Sequence, residues 1–165
     1  MTFEVRDVRP EELAEAGAVT VAAYSEFVRP GDADWEAYVE ELRNVEARAA
    51  RAVVLVAVEE PPGVLGTVTL ELSSRIDEDF EPLEPDRAHV RMLAVRPEAR
   101  RRGVARALME ACADRARAAG KRRLTLHTTE RMIAAQAMYA RLGFARSEDH
   151  VFPNGFVLLG YELKL

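Results

Sequence analysis

Leu93-Ala94-Val95-Arg96-Pro97-Glu98-Ala99-Arg100-Arg101-Arg102-Gly103-Val104-Ala105 carries an apolar strand into a short loop and straight onto a helix. The strand reads from His89 to Val95, and Pro97 ends it because proline has no N–H to give to a sheet ladder. The helix reads from Gly103 to Ala119, with Val104, Leu108, Cys112 and Ala116 as its apolar stripe and Gly120 as its stop. A helix N-terminus leaves backbone N–H groups unpaired and carries a partial positive charge, which makes it an anion site, especially for a pyrophosphate. Gly103 lets the backbone approach a ligand closely, and small Ala105 keeps the first turn uncrowded. Arg100, Arg101 and Arg102 add mobile positive charge at the same point. The competing reading of such a run is a solvated loop or a nuclear-localisation-like basic patch.

Upstream, Phe3 to Val8 alternates as a first strand, and Pro10 opens a helix whose positive end Glu11 and Glu12 favour. Pro30-Gly31 ends that segment. Asp34 is placed to cap a second helix running from Trp35 to about Ala50. Val53 to Glu59 is β-branched and almost wholly apolar, as a buried strand would be. Pro61-Pro62-Gly63 then turns the chain into a hairpin partner from Val64 to Ser73. Ser74 to Asp86 is a long polar loop. Downstream, Arg123 to Thr128 reads as a strand and Arg131 to Leu142 as a helix stopped by Gly143. A strand from Phe144, an Asn154-Gly155 turn and a strand from Phe156 to Leu163 complete the chain. The expectation is one mixed α/β domain over residues 1–165, without repeats or a linker.

The whole chain narrows the function. A formal charge of −5 over 165 residues argues against nucleic acid as the main partner, since phosphate backbones want a broad basic surface. No apolar run approaches a membrane span, and the N-terminus has no signal-peptide pattern. The single cysteine excludes an intrachain disulfide and a cysteine-based zinc cluster, and no metal is expected. A reducing cytoplasm fits best.

With these residues in hand, the chain resembles the GNAT N-acetyltransferase superfamily. Its phosphate loop reads Arg or Gln, two residues, Gly, one residue, then Gly or Ala; Arg100, Gly103 and Ala105 fill those places, after a matching Leu93-x-Val95-x-Pro97. Further on, Ala135-Gln136-Ala137-Met138-Tyr139-Ala140-Arg141-Leu142-Gly143-Phe144 is similar to the family's second motif, which ends Tyr-x-x-x-Gly-Phe. The resemblance implies the acyl-CoA N-acyltransferase fold, a twisted mixed sheet flanked by helices and splayed open between its fourth and fifth strands. It implies acetyl-CoA as co-substrate, with the backbone of Arg101, Arg102, Gly103, Val104, Ala105 and Arg106 on the pyrophosphate. It also implies a pantetheine arm lying along Leu93, Ala94 and Val95. A homodimer is compatible with the family.

The same resemblance assigns Tyr139 to protonating the departing thiolate, a role that suits a phenol at its ordinary pKa near ~10; a helical tyrosine can equally be core. Many members carry a glutamate base where this chain has His89. Strand alternation would set His89, Arg91, Leu93 and Val95 on one side. An imidazole can take a proton from an amine; the other reading is a hydrogen-bonded strand histidine. Glu71 is a second candidate base. His127 and Thr128, at the end of their strand, are expected to line the pocket. Met132 stands where the family often has asparagine, and Cys112 reads as inert packing. Asp77, Glu78, Asp79, Glu81 and Glu84 form either a solvated loop or a lure for a cationic amine.

The expected reaction is direct acetyl transfer to the primary amine of a small-molecule or peptide acceptor. The rival from another class is a non-catalytic acyl-CoA binding or sensing module. A nucleotide-binding protein is disfavoured, since Gly-x-x-x-x-Gly-Lys-Ser/Thr and Gly-x-Gly-x-x-Gly are both lacking.

Overall fold

Among the described residues the chain forms seven strands and five helices, and the reasons are mostly local. In the computed structural model, residues 2–28, 34–73 and 82–165 are described. Strand β1 (Glu4–Asp7) leads through a 3-10 turn at Pro10–Glu12 into helix α1 (Leu13–Ser25). Helices α2 (Trp35–Arg43) and α3 (Val45–Ala49) follow, then strands β2 (Val53–Glu59), β3 (Gly63–Glu71) and β4 (Arg87–Val95). A 3-10 turn at Pro97–Ala99 precedes helix α4 (Val104–Ala118) and strand β5 (Arg123–Thr128). Helix α5 (Ile133–Arg141) and the hairpin of β6 (Ala145–Val151) and β7 (Val157–Lys164) end the chain.

The strands form a mixed seven-stranded sheet in the order β1-β2-β3-β4-β5-β7-β6. β4 and β5 are parallel, and their register pairs Arg87 to Val90 with Arg123 to Leu126. β4 runs on to Val95 and β5 to Thr128 beyond those pairs. β5 pairs antiparallel with β7, and β7 with β6.

The chain divides into two compact units, Met1–Leu70 with Met92–Ala111, and Glu71–Arg91 with Cys112–Leu165. In the first, Ala16, Val19, Val45, Val54, Val56, Val58 and Val64 make a buried cluster, so the β-branched run of β2 does what its composition demands. In the second, Leu124, Leu126, Cys112 and Ala116 are buried, and Tyr139, Phe144 and Tyr161 join them.

The helix expected over Trp35 to Ala50 is two helices. Asn44 breaks it with φ −82° and ψ 67°, and its side chain accepts the Ala47 N–H at 3.1 Å to cap the second piece. A short polar side chain that competes with the backbone for hydrogen bonds explains the break. Asp34 makes no side-chain cap bond. The stop at Pro30-Gly31 and the acidic residues Asp77, Glu78, Asp79 and Glu81 lie outside the described residues. Among the described residues no helix is long and apolar enough to cross a membrane.

Candidate active site

The first unit contains the loop that opens the decisive helix. Pro97–Ala99 makes one 3-10 turn, after which Arg100 is extended (φ −65°, ψ 157°). Arg101 (φ 63°) and Gly103 (φ 80°) then adopt left-handed conformations before Val104 begins α4. Only the second is a glycine, so Arg101 holds a conformation that disfavours a Cβ. A Cβ built on Gly103 would meet nothing within 4 Å, so that side of the loop is bare backbone. The first-turn N–H groups of α4 have no intrahelical acceptors. Bare left-handed backbone at the head of a 15-residue helix is a geometry suited to an anion such as a diphosphate.

Two features hold that helix head in place. Gly66, on β3, has room for no side chain: a Cβ there would lie 2.9 Å from the Ala94 carbonyl oxygen and 2.9 Å from Val104 Cγ1. The first turn of α4 therefore seats directly on sheet backbone. Arg96, next to the strand-ending proline, donates from Nε and Nη2 to the Val64 carbonyl at 3.1 and 2.9 Å. Its Nη2 also bonds Glu15 Oε1 at 3.0 Å, and that oxygen accepts the Val64 N–H at 3.1 Å. Neither Gly66, Arg96 nor Glu15 stood out in the sequence. The proline that terminates β4 hints at Arg96, but Glu15 has no local signal.

The arginine run does not supply mobile charge as a group. Arg100 is paired with Glu26 at 2.8 Å, and Arg102 with Glu59 at 2.9 Å. Thr2 also bonds the Glu59 carboxylate, and Arg102, then Thr2, hold that carboxyl below the usual range. Among the described residues Arg101 makes no ion pair. Backbone amides, not a triple guanidinium clamp, are what the loop presents.

A second non-glycine residue with a left-handed φ lies inside β4. Met92 has φ 53° and is buried, so the pleat is interrupted between Arg91 and Leu93. Simple alternation of His89, Arg91, Leu93 and Val95 along one side therefore fails at this point. Ala94 is buried, while Leu93 and Val95 are half-buried.

In the second unit the polar candidates gather on one face of β4–β5–β7. His89 is 4% exposed and its Nδ1 lies 2.8 Å from Thr125 Oγ1. Arg87 Nε donates to the same oxygen at 2.8 Å. The His89 and His127 rings are 5.3 Å apart. Glu71 is fully buried and forms an ion pair with Arg91 at 3.6 Å, so its carboxylate is tied to a cation. Thr128 does not share the face of His127: it is buried, and its hydroxyl donates to Met132 Sδ at 3.3 Å. The methionine that replaces the family's asparagine thus has a partner of its own.

Tyr139 lies on the other face. Its ring is 5.8 Å from Tyr161 and 5.8 Å from Phe144, and Tyr161 follows Gly160, which pairs with His127. The phenol is not at its ordinary pKa: burial, with the neighbouring Cys112 and Tyr161, pushes it up. Cys112 is buried and its thiol is pushed up to about 12 by desolvation, which leaves it inert. Among the described residues no group of His, Cys, Asp and Glu could hold a metal ion.

Residues 20–144 match the acetyltransferase (GNAT) family, and the chain belongs to it. No curated protein matches the sequence. Solved structures match over the whole chain. The PaiA N-acetyltransferase of Thermoplasma acidophilum, in complex with coenzyme A, is 15% identical with a TM-score of 0.76, covering 100% of each chain. YncA of Salmonella typhimurium, with acetyl-CoA, is 19% identical with a TM-score of 0.67, over 100% of this chain and 95% of its own. The ribosomal-protein-S18-alanine N-acetyltransferase of Escherichia coli is 18% identical with a TM-score of 0.68, over 98% and 93%. At these identities the likeness is one of fold.

Proposed function

We propose that this protein is an N-acetyltransferase that moves an acetyl group from acetyl-CoA directly to a primary amine. The observation that carries the reading is the loop at residues 100–103, with its left-handed Arg101 and Gly103 at the head of α4. Its amides would hold the diphosphate, and Leu93 to Val95 would pair with the pantetheine arm as an added strand does. Acetyl-CoA supplies an activated thioester. A strand amide near Leu93 to Val95 would polarise the carbonyl oxygen, where charge develops. His89 takes the proton that the acceptor amine gives up, and Tyr139 gives one to the sulfur. Holding two substrates together supplies much of the acceleration, with no protein nucleophile. The buried, inert Cys112 agrees with direct transfer and with a reducing cytoplasm.

The deciding experiment is an amine screen with acetyl-CoA, following free thiol release. Turnover with at least one amine, lost in His89→Gln and Tyr139→Phe, supports the reading. Tight coenzyme A binding without thiol release from any amine would make the protein a binding or sensing module instead.

A further inference from the structure

The sequence has three histidines, and the fold brings all of them into one row. His89 on β4 and His127 on β5 have ring centroids 5.3 Å apart, and His127 and His150 on β6 have centroids 6.3 Å apart. Exposure rises along the row: His89 is buried, His127 is half-buried and His150 is exposed. β7 lies between β5 and β6, so a side chain there would separate His127 from His150. The residue opposite His127 is Gly160, which has none. A Cβ at that position would fall 2.1 Å from the Glu148 carbonyl oxygen, because β6 bulges between Ser147 and His150 across it. Phe152 packs edge-on against His150 at 4.5 Å and fixes the outer ring.

The proposed reaction releases a proton that must leave the site. An ammonium acceptor loses two protons in becoming an amide; one ends on the thiol, and the other must reach solvent each turnover. His89 is too buried to release it directly.

We propose that His127 and His150 form the exit path, taking the proton from the His89 imidazolium and passing it to bulk water. Each hop runs ring to ring, directly or across one bridging water. The proton lost by the acceptor nitrogen becomes the His89 ring proton, His127 accepts it, and His150 discharges it; no electron moves and each ring returns to neutral. Around the row, Thr125 orients His89 through Nδ1. Asp149 accepts the Gly160 N–H at 3.0 Å and bonds Arg146, and those two hold its carboxyl below the usual range. Arg87 on Thr125 and the Arg91–Glu71 pair complete the charged groups on β4. His127 and His150 are positioning residues, since they act through His89.

This inference rests on His89 as the base, and its test is independent of any acceptor. With 15N-labelled histidine in the full chain, the exchange of the His89 ring proton with water is measured by NMR. In His127→Gln, and separately in the exposed His150→Gln, that exchange slows by about tenfold or more while the backbone spectrum and coenzyme A affinity stay unchanged. Exchange at the wild-type rate in both variants overturns the path. If the exchange slows as expected but amine acetylation keeps its rate in His89→Gln, the base assignment falls and the path itself stands.

Discussion

One nitrogen of Arg102, Nη2, reaches both oxygens of Glu59, at 2.9 and 3.0 Å. One of the three guanidiniums expected to add charge at the loop is therefore already engaged by a carboxylate of β2. Arg102→Ala is expected to weaken coenzyme A binding by no more than about threefold, the order of a surface ion pair. Gly103→Ala places a Cβ at φ 80°, a strain of about 1–2 kcal/mol, and blocks the bare side of the loop. Its affinity should fall by about tenfold or more. Calorimetric titration with coenzyme A ranks the two; a larger loss in Arg102→Ala would show that charge, not backbone, holds the diphosphate.

Gly66→Ala tests how the helix head is seated. The added methyl meets the Ala94 carbonyl oxygen and Val104 Cγ1, each at 2.9 Å, and the first of these is backbone that cannot rotate away. Overpacking of this kind costs about 1–3 kcal/mol. Urea unfolding should show that loss, and coenzyme A affinity should drop with it. Unaltered binding would mean the first turn of α4 can shift without consequence.

Removing the Tyr139 hydroxyl separates chemistry from packing. The ring sits among Phe144 and Tyr161, and phenylalanine keeps every one of those contacts. Tyr139→Phe is expected to keep its Tm within about 4 °C, while kcat drops about a hundredfold with the KM for acetyl-CoA unchanged. Equal kcat in both proteins would reduce Tyr139 to a core residue.

Glu12 offers a pH test of the first unit. Its carboxylate accepts from both terminal nitrogens of Arg6, at 2.9 and 2.6 Å, and from the Arg9 N–H at 2.8 Å. The hydrogen bond from Arg6, then that from Arg9, holds its carboxyl below the usual range against a partial desolvation. A depressed carboxylate stabilises the fold above the ordinary carboxylate pKa and loses that contribution as pH falls through the depressed value. Glu12→Gln should therefore cost about 1 kcal/mol at neutral pH, and the two proteins should converge in urea titrations carried out in acid. A gap that persists in acid would assign the effect to packing.

Much of the architecture was written in local chemistry. The β-branched Val53–Glu59 run, the proline after β4, and Gly120 and Gly143 past α4 and α5 placed those elements close to their observed ends. The loop at 100–103 was legible for the same reason: glycine at a helix start is a short-range signal. What escaped depends on distant partners or on backbone geometry that no residue type advertises. Glu15 and Arg96 are 81 positions apart. The pairing of Arg100 and Arg102 with Glu26 and Glu59 turned expected free cations into bound ones. Asn44 split a helix that periodicity alone would run through. The histidine row needed a strand order in which β7 enters between β5 and β6, and a glycine at the crossing point.

Met92 adds a final consequence. A methionine at φ 53° in mid-strand is a bend that side-chain sterics resist, so the free protein carries that expense at all times, guest or no guest. Under the proposed function, a strand bent in advance leaves little to rearrange, and its backbone should look almost the same with and without coenzyme A.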